Sequence, residues 1–288
     1  MAEKDITQKL LADYPDVFAD IFNVLLFNGK QVIKPTEEDL QPAQPHSIYK
    51  MDGKLHEQER DVAKLWLSGQ IRLALLGLEN QSAIDSDMPF RVIGYDGAAY
   101  RDQLNHDEEG QPKVRYPVVT LVLYFGEKHW RGARTIKERL KIPAELDAYV
   151  NDYKVHVIEV AWLEDEVINK FQSDFRIVAN FFKQKRINKD YVPTKQTWHH
   201  VREILELLVA ATGDDRYIQA YNEEKERPKN MDEWLTRKIN GGITQGENRS
   251  WQLIDKLMSC GKSDEIHEAA TNPTRRMELY REYGIAVD

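Results

Sequence analysis

Residues 59–81, ERDVAKLWLSGQIRLALLGLENQ, decide how this chain folds. Two apolar runs flank the turn residues Ser68, Gly69 and Gln70, and this pattern predicts two antiparallel strands joined by a tight hairpin. Folding the chain about position 70 brings residue 61 opposite residues 77–79, because 61 and 79 are equally distant from that position. Asp61 and Glu79 are therefore predicted to be cross-strand neighbours.

A third polar side chain shares the face of Glu79. Residues two apart on a strand point the same way, so Gln81 joins Glu79, whereas Asn80 points away and leaves its backbone carbonyl at the sheet margin. Unit charges about 4 Å apart repel by roughly 4 kcal/mol at an effective dielectric near 20, so two facing carboxylates are unfavourable unless one is protonated or a cation joins them. Oxygen ligands without a thiolate favour Mg²⁺ or Mn²⁺, which would also take up a phosphate oxygen from a substrate. This arrangement is that of a phosphodiesterase.

The rest of the pattern predicts an α/β sheet domain over residues 1–212 and a small helical C-terminal region over residues 213–288. Residues 34–47 contain three prolines and no usable period, so they are predicted to be a loop. The predicted helices cover residues 14–28, 88–104, 164–186 and 197–211, and the predicted strands cover residues 59–67, 71–81, 116–126 and 154–163. The last two strands are expected to extend the sheet of the hairpin.

Composition excludes several classes of protein. The chain has 288 residues, 41% hydrophobic and 31% charged, which is the composition of a globular protein with a full core. A single cysteine, Cys260, cannot form an internal disulfide, and no Cys/His set has zinc-site spacing, so we expect a cytoplasmic protein. The sequence lacks a signal-peptide pattern, an apolar run near the roughly 18 residues of a membrane span, and the glycine-rich motifs of nucleotide binding. We therefore expect no membrane association and no nucleotide cofactor.

Longer motifs carry a family resemblance. Asp61 and the Glu79-Asn80-Gln81 end of an apolar strand, followed by a helix that opens Met88-Pro89-Phe90-Arg91, are similar to the PD-(D/E)XK nuclease fold. More narrowly, LENQSAIDSDMPFR at 78–91, LVLYFGEKHWRG at 121–132 and GITQG at 242–246 resemble the Rpn family of recombination-promoting nucleases, often labelled transposases. The resemblance spans most of the chain, in order. It implies a central mixed sheet with flanking helices and Mg²⁺-dependent or Mn²⁺-dependent cleavage of DNA by a bacterial-type endonuclease.

The resemblance also implies roles for particular residues. Asp61 and Glu79 would be metal ligands, with the Asn80 carbonyl as a third. Gln81 stands where most of the superfamily has lysine, and glutamine supplies hydrogen bonds but no positive charge. The superfamily often has an acidic residue on its first helix, a role for which Asp20 ranks before Asp16. Because of Gln81 and the acidic net charge of −8, the alternative is a catalytically weak or inactive factor for DNA binding or protein interaction on the same scaffold.

Basic side chains near aromatic residues are the candidate contacts to DNA phosphates. The densest cluster lies at the C-terminal end of a predicted helix. Cations there also stabilise the helix dipole, so DNA contact and helix stabilisation both stay open as interpretations. A loop after a buried strand offers a second set, with an ordinary surface turn as the alternative. The candidate DNA-binding residues are Lys183, Lys185, Arg186, Lys189, Arg131 and Arg134.

Three features also have simpler structural interpretations. Asp61 and Glu79 could be exposed strand ends paired with Arg60 or Arg72, and Asp152-Tyr153-Lys154 is a rival acidic triplet that is more simply a strand start. The GITQG segment suggests a helical module for self-association into a homo-oligomer or for DNA contact. The simpler alternative is a helix hairpin without such a role.

Overall fold

The computed structural model describes residues 11–43, 46–51, 54–59, 61–69, 71–104, 114–188 and 196–212, and, nearer the C-terminus, residues 249, 252–254, 256–260, 262 and 264–285. The chain divides into two compact units, Met1–Val192 with Trp198–Lys225, and Pro193–Thr197 with Glu226–Asp288. The predicted boundary at residues 212 and 213 adjoins residues 213–248, which lie outside the described part. That boundary therefore stays a prediction.

The first unit has mixed α/β structure. Its helices are α1 (Pro15–Phe27), α2 (Met88–Asp102), α3 (Asp165–Ile168), α4 (Phe175–Asn188) and α5 (Val201–Thr212), with short 3-10 turns at Lys137–Arg139, Ala144–Tyr149 and Val160–Trp162. Its strands are β1 (Leu40–Pro42), β2 (His46–Met51), β3 (Lys54–Glu59), β4 (Val62–Ser68), β5 (Ile71–Gln81), β6 (Val118–Tyr124) and β7 (His156–Glu159).

Five strands form one mixed sheet in the order β1-β4-β5-β6-β7, and β2 and β3 form a separate hairpin. Strands β1, β4 and β5 are antiparallel, whereas β5, β6 and β7 are parallel. Helix α2 connects β5 to β6, because parallel neighbours need a crossover rather than a tight turn. The predicted α/β class, the mixed central sheet and the flanking helices are confirmed, and so is the extension of the hairpin's sheet by the later strands.

Helix α1 forms where the apolar spacing predicts it. Phe18, Ile21 and Phe22 are fully buried on one face. The helix ends at Asn28, whose φ of 56° is left-handed, and Gly29 follows with φ of 86°. Lys64 of β4 places its ammonium 2.8 Å from a carboxylate oxygen of Asp13, just before the helix, and this ion pair joins the start of α1 to the sheet.

Strand β6 is buried at six of its seven positions, as a strand covered on both faces requires. One face packs against α2 through a cluster in which Met88 and Val92 of the helix meet Val122 and Tyr124 of the strand. The position of α2 over this face brings its first turns close to the end of β5.

Three predicted elements differ from the structure. The predicted loop over residues 34–47 contains β1 and the start of β2; Pro42 is accepted in β1 because that strand lies at the sheet edge, where a missing N–H is tolerated. The predicted strand over residues 154–163 is shorter, and a 3-10 turn follows it at Val160–Trp162.

The third difference is a helix that divides in two. The predicted helix over residues 164–186 is α3 and α4, separated by residues 169–174. A carboxylate oxygen of Asp20 accepts the backbone N–H groups of Gln172 and Ser173 at 2.8 and 2.7 Å. This distant acceptor satisfies donors that a continuous helix would bond locally, and it holds the break open.

The second unit contains α6 (Asp264–Thr271) and α7 (Pro273–Glu282). Asn272 caps α7, since its side-chain oxygen accepts the N–H groups of Thr274 and Arg275, and Pro273 stands in the first turn. The buried apolar cluster of this unit comprises Leu253, Leu257, Ala269, Leu279, Tyr280 and Ile285. The GITQG segment lies outside the described residues, so its role stays a prediction.

In the described part of the chain, none of the helices has the length and apolar character needed to cross a bilayer.

Candidate active site

The hairpin register brings Asp61 and Glu79 to the same end of β4 and β5. The ladder ends at Val62 opposite Leu78, so the next positions in the same register are Asp61 and Glu79. This register depends on a bulge. The turn pairs Ser68 with Ile71, but the register shifts between Trp66 and Leu67, which leaves one extra residue on β5. Without that residue, Asp61 would lie opposite Leu78, whose side chain points to the other face.

Glu79 is a buried carboxylate held by two donors. It is 1% exposed. Its Oε1 accepts a hydrogen bond from Nε2 of Gln81 at 3.1 Å, which confirms that these two side chains share a face. The same oxygen makes a very short ion pair with the guanidinium of Arg91, from the first turn of α2. The negative charge of Glu79 is therefore balanced within the chain.

Arg91 and Tyr95 complete this cluster from α2. Arg91 Nη1 lies 3.2 Å from Oδ2 of Asp85, and Nη2 donates to the hydroxyl of Tyr95 at 3.0 Å. Burial is the largest single influence on the pKa of Arg91 and would lower it, but the charge of Glu79 and the hydrogen bonds to Tyr95 and Asp85 together outweigh burial and raise the pKa above its ordinary value. Burial, with the charges of Glu79 and Asp61 in support, raises the pKa of Tyr95 to about 12. Tyr95 therefore remains a neutral hydroxyl at physiological pH.

Asp61 is anchored by the backbone of β5. Its Oδ2 accepts the N–H of Asn80 at 2.6 Å, a short hydrogen bond of the charge-assisted kind. The Asn80 side chain is 3% exposed and, among the described residues, neither of its polar atoms has a hydrogen-bond partner. Glu79 thus faces α2, the charge of Asp61 acts on Tyr95 of that helix, and the Asn80 amide is buried.

The donor chemistry of this cluster fits a hard divalent cation. Asp61 and Glu79 contribute carboxylate oxygens, and Gln81 adds an amide beside them. In the described part of the chain, no group of three or more His, Cys, Asp or Glu could hold a metal, so this is a donor set of two carboxylates. Mg²⁺ is typically bound in this way, through one or two carboxylates with water and substrate phosphate as its other ligands.

The two first-helix candidates lie around a different cleft. Asp20 is 4% exposed and lines a cleft of about 170 Å³ together with Asp16, Gln172, Ser173 and His199, and neither Asp61 nor Glu79 is among its lining residues. Burial raises the pKa of Asp20, although the N–H donors of Ser173 and Gln172 oppose this shift.

Asp16 has a separate partner, because both of its carboxylate oxygens lie 3.0 Å from Nε2 of His200. The structure therefore does not bring Asp20 or Asp16 into the hairpin cluster. Their catalytic roles stay predictions.

Most described residues of the basic cluster are engaged within the chain. Lys183 pairs with Asp165 at 2.9 Å. Arg186 lies over the ring of Trp162, 3.7 Å from its centroid, and donates to the Ala161 carbonyl at 2.8 Å. Lys185 is half-buried, and Lys189 lies outside the described residues.

The loop after β6 holds the other two basic candidates. Arg134 pairs with Glu159 at 2.6 Å and donates to the Val157 carbonyl, whereas Arg131 is exposed. Of the candidates in the described part of the chain, Arg131 is therefore the most accessible to a phosphate.

Of the two alternative partners for Asp61 and Glu79, only Arg72 can be placed, and pairing with Arg60 stays a prediction. Arg72 lies 6.0 Å from the ring centroid of Tyr116, and Arg60 lies outside the described residues. The rival Asp152 accepts the backbone N–H of Lys137 in an exposed turn. These contacts give Asp152 a structural role.

Sequence reasoning assigned no role to Arg91 or Tyr95. Their signal was present, because positions four apart on a helix lie on one face, one turn above the other. The missing information was the position of α2 over the sheet, since only that position brings the face to Glu79.

One family model, described as "Putative transposase, YhgA-like", matches residues 72–213. The match begins in β5 and includes Glu79, Gln81, Arg91 and Tyr95, whereas Asp61 precedes it. No curated protein and no solved structure gives a significant match to the chain.

Proposed function

We propose that this chain, whose residues 72–213 match the YhgA-like transposase family, is a divalent-metal-dependent DNA endonuclease of the PD-(D/E)XK kind. The family indicates a function of the nuclease or transposase type. The finer assignment to hydrolysis of DNA phosphodiester bonds is our proposal, as are its Mg²⁺ or Mn²⁺ cofactor and its DNA partner.

The observation that carries the proposal is the convergence of Asp61, Glu79 and Gln81 at one end of the hairpin. The two carboxylates come from adjacent strands, and the bulge in β5 sets the register that aligns them. Gln81 donates to Glu79 from two residues further along the same face. A fixed pair of carboxylates beside an amide donor is suited to cation binding and to orientation of a water molecule.

A divalent cation bound there would neutralise charge on the scissile phosphate and lower the pKa of a bound water. Asp61 and Glu79 would be its protein ligands, together with the Asn80 carbonyl. Gln81 would orient the attacking water through hydrogen bonds. The neutral hydroxyl of Tyr95 keeps its proton and can support Arg91 or a phosphate oxygen. The reaction is an in-line hydrolysis without a covalent intermediate.

One observation favours the second candidate, a catalytically weak factor for DNA binding or protein interaction on the same scaffold. Arg91 already neutralises Glu79, and Gln81 stands where most of the PD-(D/E)XK superfamily has lysine. A carboxylate whose charge is already balanced within the chain has less need of a metal ion. The two candidates differ in a single readout, which is cleavage of DNA.

The test is nicking of supercoiled plasmid by the full chain with Mg²⁺ or Mn²⁺. We expect cutting that stops with a chelator and is lost in Asp61→Asn and in Glu79→Gln. Matched controls are Asp147→Asn and Glu166→Gln, which change exposed carboxylates paired with Lys137 and Lys170 and should cut like the parent. Circular dichroism verifies that each variant is folded.

Two results would contradict the proposal. Unchanged cutting by both site variants would remove Asp61 and Glu79 from the active site. A parent protein that binds DNA but does not cut it with either cation would favour the second candidate.

A further inference from the structure

Arg91 places a positive charge at Oε1 of Glu79, one of the two oxygens through which this carboxylate could bind a divalent cation. Its guanidinium contacts Oε1 of Glu79, the same oxygen that accepts from Gln81. The Arg91 side chain is 38% exposed, whereas that of Glu79 is 2% exposed. Arg91 thus extends from the surface to a buried carboxylate, and it can withdraw without opening the core.

Arg91 also has a second anchor at the surface. Asp85 Oδ2 lies 3.2 Å from Nη1, on a side chain that is 31% exposed. When a guanidinium has two carboxylate partners, it can leave one and remain held by the other. Asp85 and the hydroxyl of Tyr95 therefore keep Arg91 near the site after its contact with Glu79 is lost.

Arg91 is, among the described residues, the positive side chain paired with Glu79, and Gln81 contributes none. We infer that Arg91 is an exchangeable counter-ion, which neutralises Glu79 in the resting protein and binds a non-bridging oxygen of the DNA phosphate when a divalent cation takes its place. This inference rests on the proposed function. In this arrangement, Arg91 supplies the positive charge that a lysine would supply at the position of Gln81.

The inference predicts that one substitution moves two affinities in opposite directions. Arg91→Met removes the charge but keeps an unbranched apolar stem. Because Glu79 then loses its competing cation, Mn²⁺ should bind the full chain at least about tenfold more tightly. Because one phosphate contact is lost, affinity for a DNA duplex should fall, and the salt slope of log K should decrease by about 0.9.

The measurements are calorimetric titration with Mn²⁺ and anisotropy of a labelled DNA duplex over a range of salt concentrations. Arg139→Met is the matched control, since Arg139 pairs with Asp87 just before the same helix and is 41% exposed. It should leave both affinities unchanged. Arg91→Gln is a second variant that keeps a hydrogen-bond donor for Glu79 without the charge, and it should also bind Mn²⁺ more tightly.

An unchanged or weakened Mn²⁺ affinity in Arg91→Met and Arg91→Gln would overturn the inference. An unchanged salt slope would overturn the role of Arg91 at the phosphate. If the parent cuts plasmid but these affinities do not move, the endonuclease proposal stands and the exchange fails. If neither the parent nor any variant binds Mn²⁺, both fail.

Discussion

The ion pair between Arg91 and Glu79 can be tested by a double-mutant cycle on stability. Removing one member of a buried ion pair typically costs about 3–5 kcal/mol, because the other charge stays buried without compensation. For Arg91→Met we expect a loss of about 3 kcal/mol, at the low end of that range, since water reaches the 38% of the Arg91 side chain that is exposed. For Glu79→Gln we expect only about 1 kcal/mol, because Arg91 keeps Asp85, Tyr95 and water as partners.

The double variant Arg91→Met/Glu79→Gln should lose much less than the two single losses combined. With both charges gone, nothing is left buried and uncompensated, so we expect a loss of about 1–2 kcal/mol and a coupling of at least about 2 kcal/mol. The assay is urea unfolding at pH 7, with free energies of unfolding from linear extrapolation at a common m-value. If the loss of the double variant equals the sum of the two single losses to within about 0.5 kcal/mol, the ion pair and the charge balance at this site are refuted.

Three further predictions concern other parts of the molecule. Burial raises the pKa of Asp20, so its stabilising contribution is fully present below the unfolded pKa and is lost as pH rises through the folded pKa. Asp20→Asn should therefore gain stability relative to the parent as pH rises from about 4 to 7 in urea unfolding, and a constant difference would contradict the shift. Exposed Arg131 should contact phosphate, so Arg131→Ala should lower the salt slope of DNA binding by about 0.9. The ammonium of Lys183 is paired with Asp165, so Lys183→Ala should change the slope little. Equal slopes for both variants would reject this assignment. Gly69 has φ of 59° with open space around it, so Gly69→Ala should cost about 1 kcal/mol in a thermal melt from backbone conformation alone, and no loss would contradict the left-handed turn.

The hairpin could be predicted because its information is local. Turn residues between two apolar runs specify two strands, and the polar ENQ end marks where the second strand leaves the core. The alignment of Asp61 with Glu79 was also predicted, but by simple counting about position 70. In the structure the turn alone would place Asp61 opposite Leu78, and the bulge restores the alignment. A bulge has no reliable signal in a single sequence.

Contacts between distant segments could not be predicted. The break between α3 and α4 is held by Asp20, whose acceptor oxygen lies about 150 positions earlier in the chain. The periodicity of residues 164–186 is helical throughout, so local pattern favoured one helix. Arg91 was likewise visible in the sequence, but its partner depends on where α2 packs over the sheet. The position of a helix over a sheet is decided by core packing between distant segments, and the local sequence pattern carries no information on that packing.

In the candidate site, too, the local features could be predicted and the contact with a distant segment could not. Residue types and spacing on one hairpin predicted which side chains converge, and the shared face of Glu79 and Gln81 is confirmed by their hydrogen bond. Arg91, the positive side chain paired with Glu79, comes from helix α2 and was not predicted. The repulsion predicted between two carboxylates is therefore relieved in part by Arg91, before any metal is considered.

Diffraction from crystals soaked in MnCl₂ shows whether Asp61 and Glu79 bind a metal, because anomalous density locates Mn²⁺ independently of activity. We expect one peak within ligand distance of both Asp61 and Glu79, with the Arg91 guanidinium displaced from Oε1 of Glu79. Absence of a peak at saturating Mn²⁺, or a peak that touches neither carboxylate, would contradict this expectation.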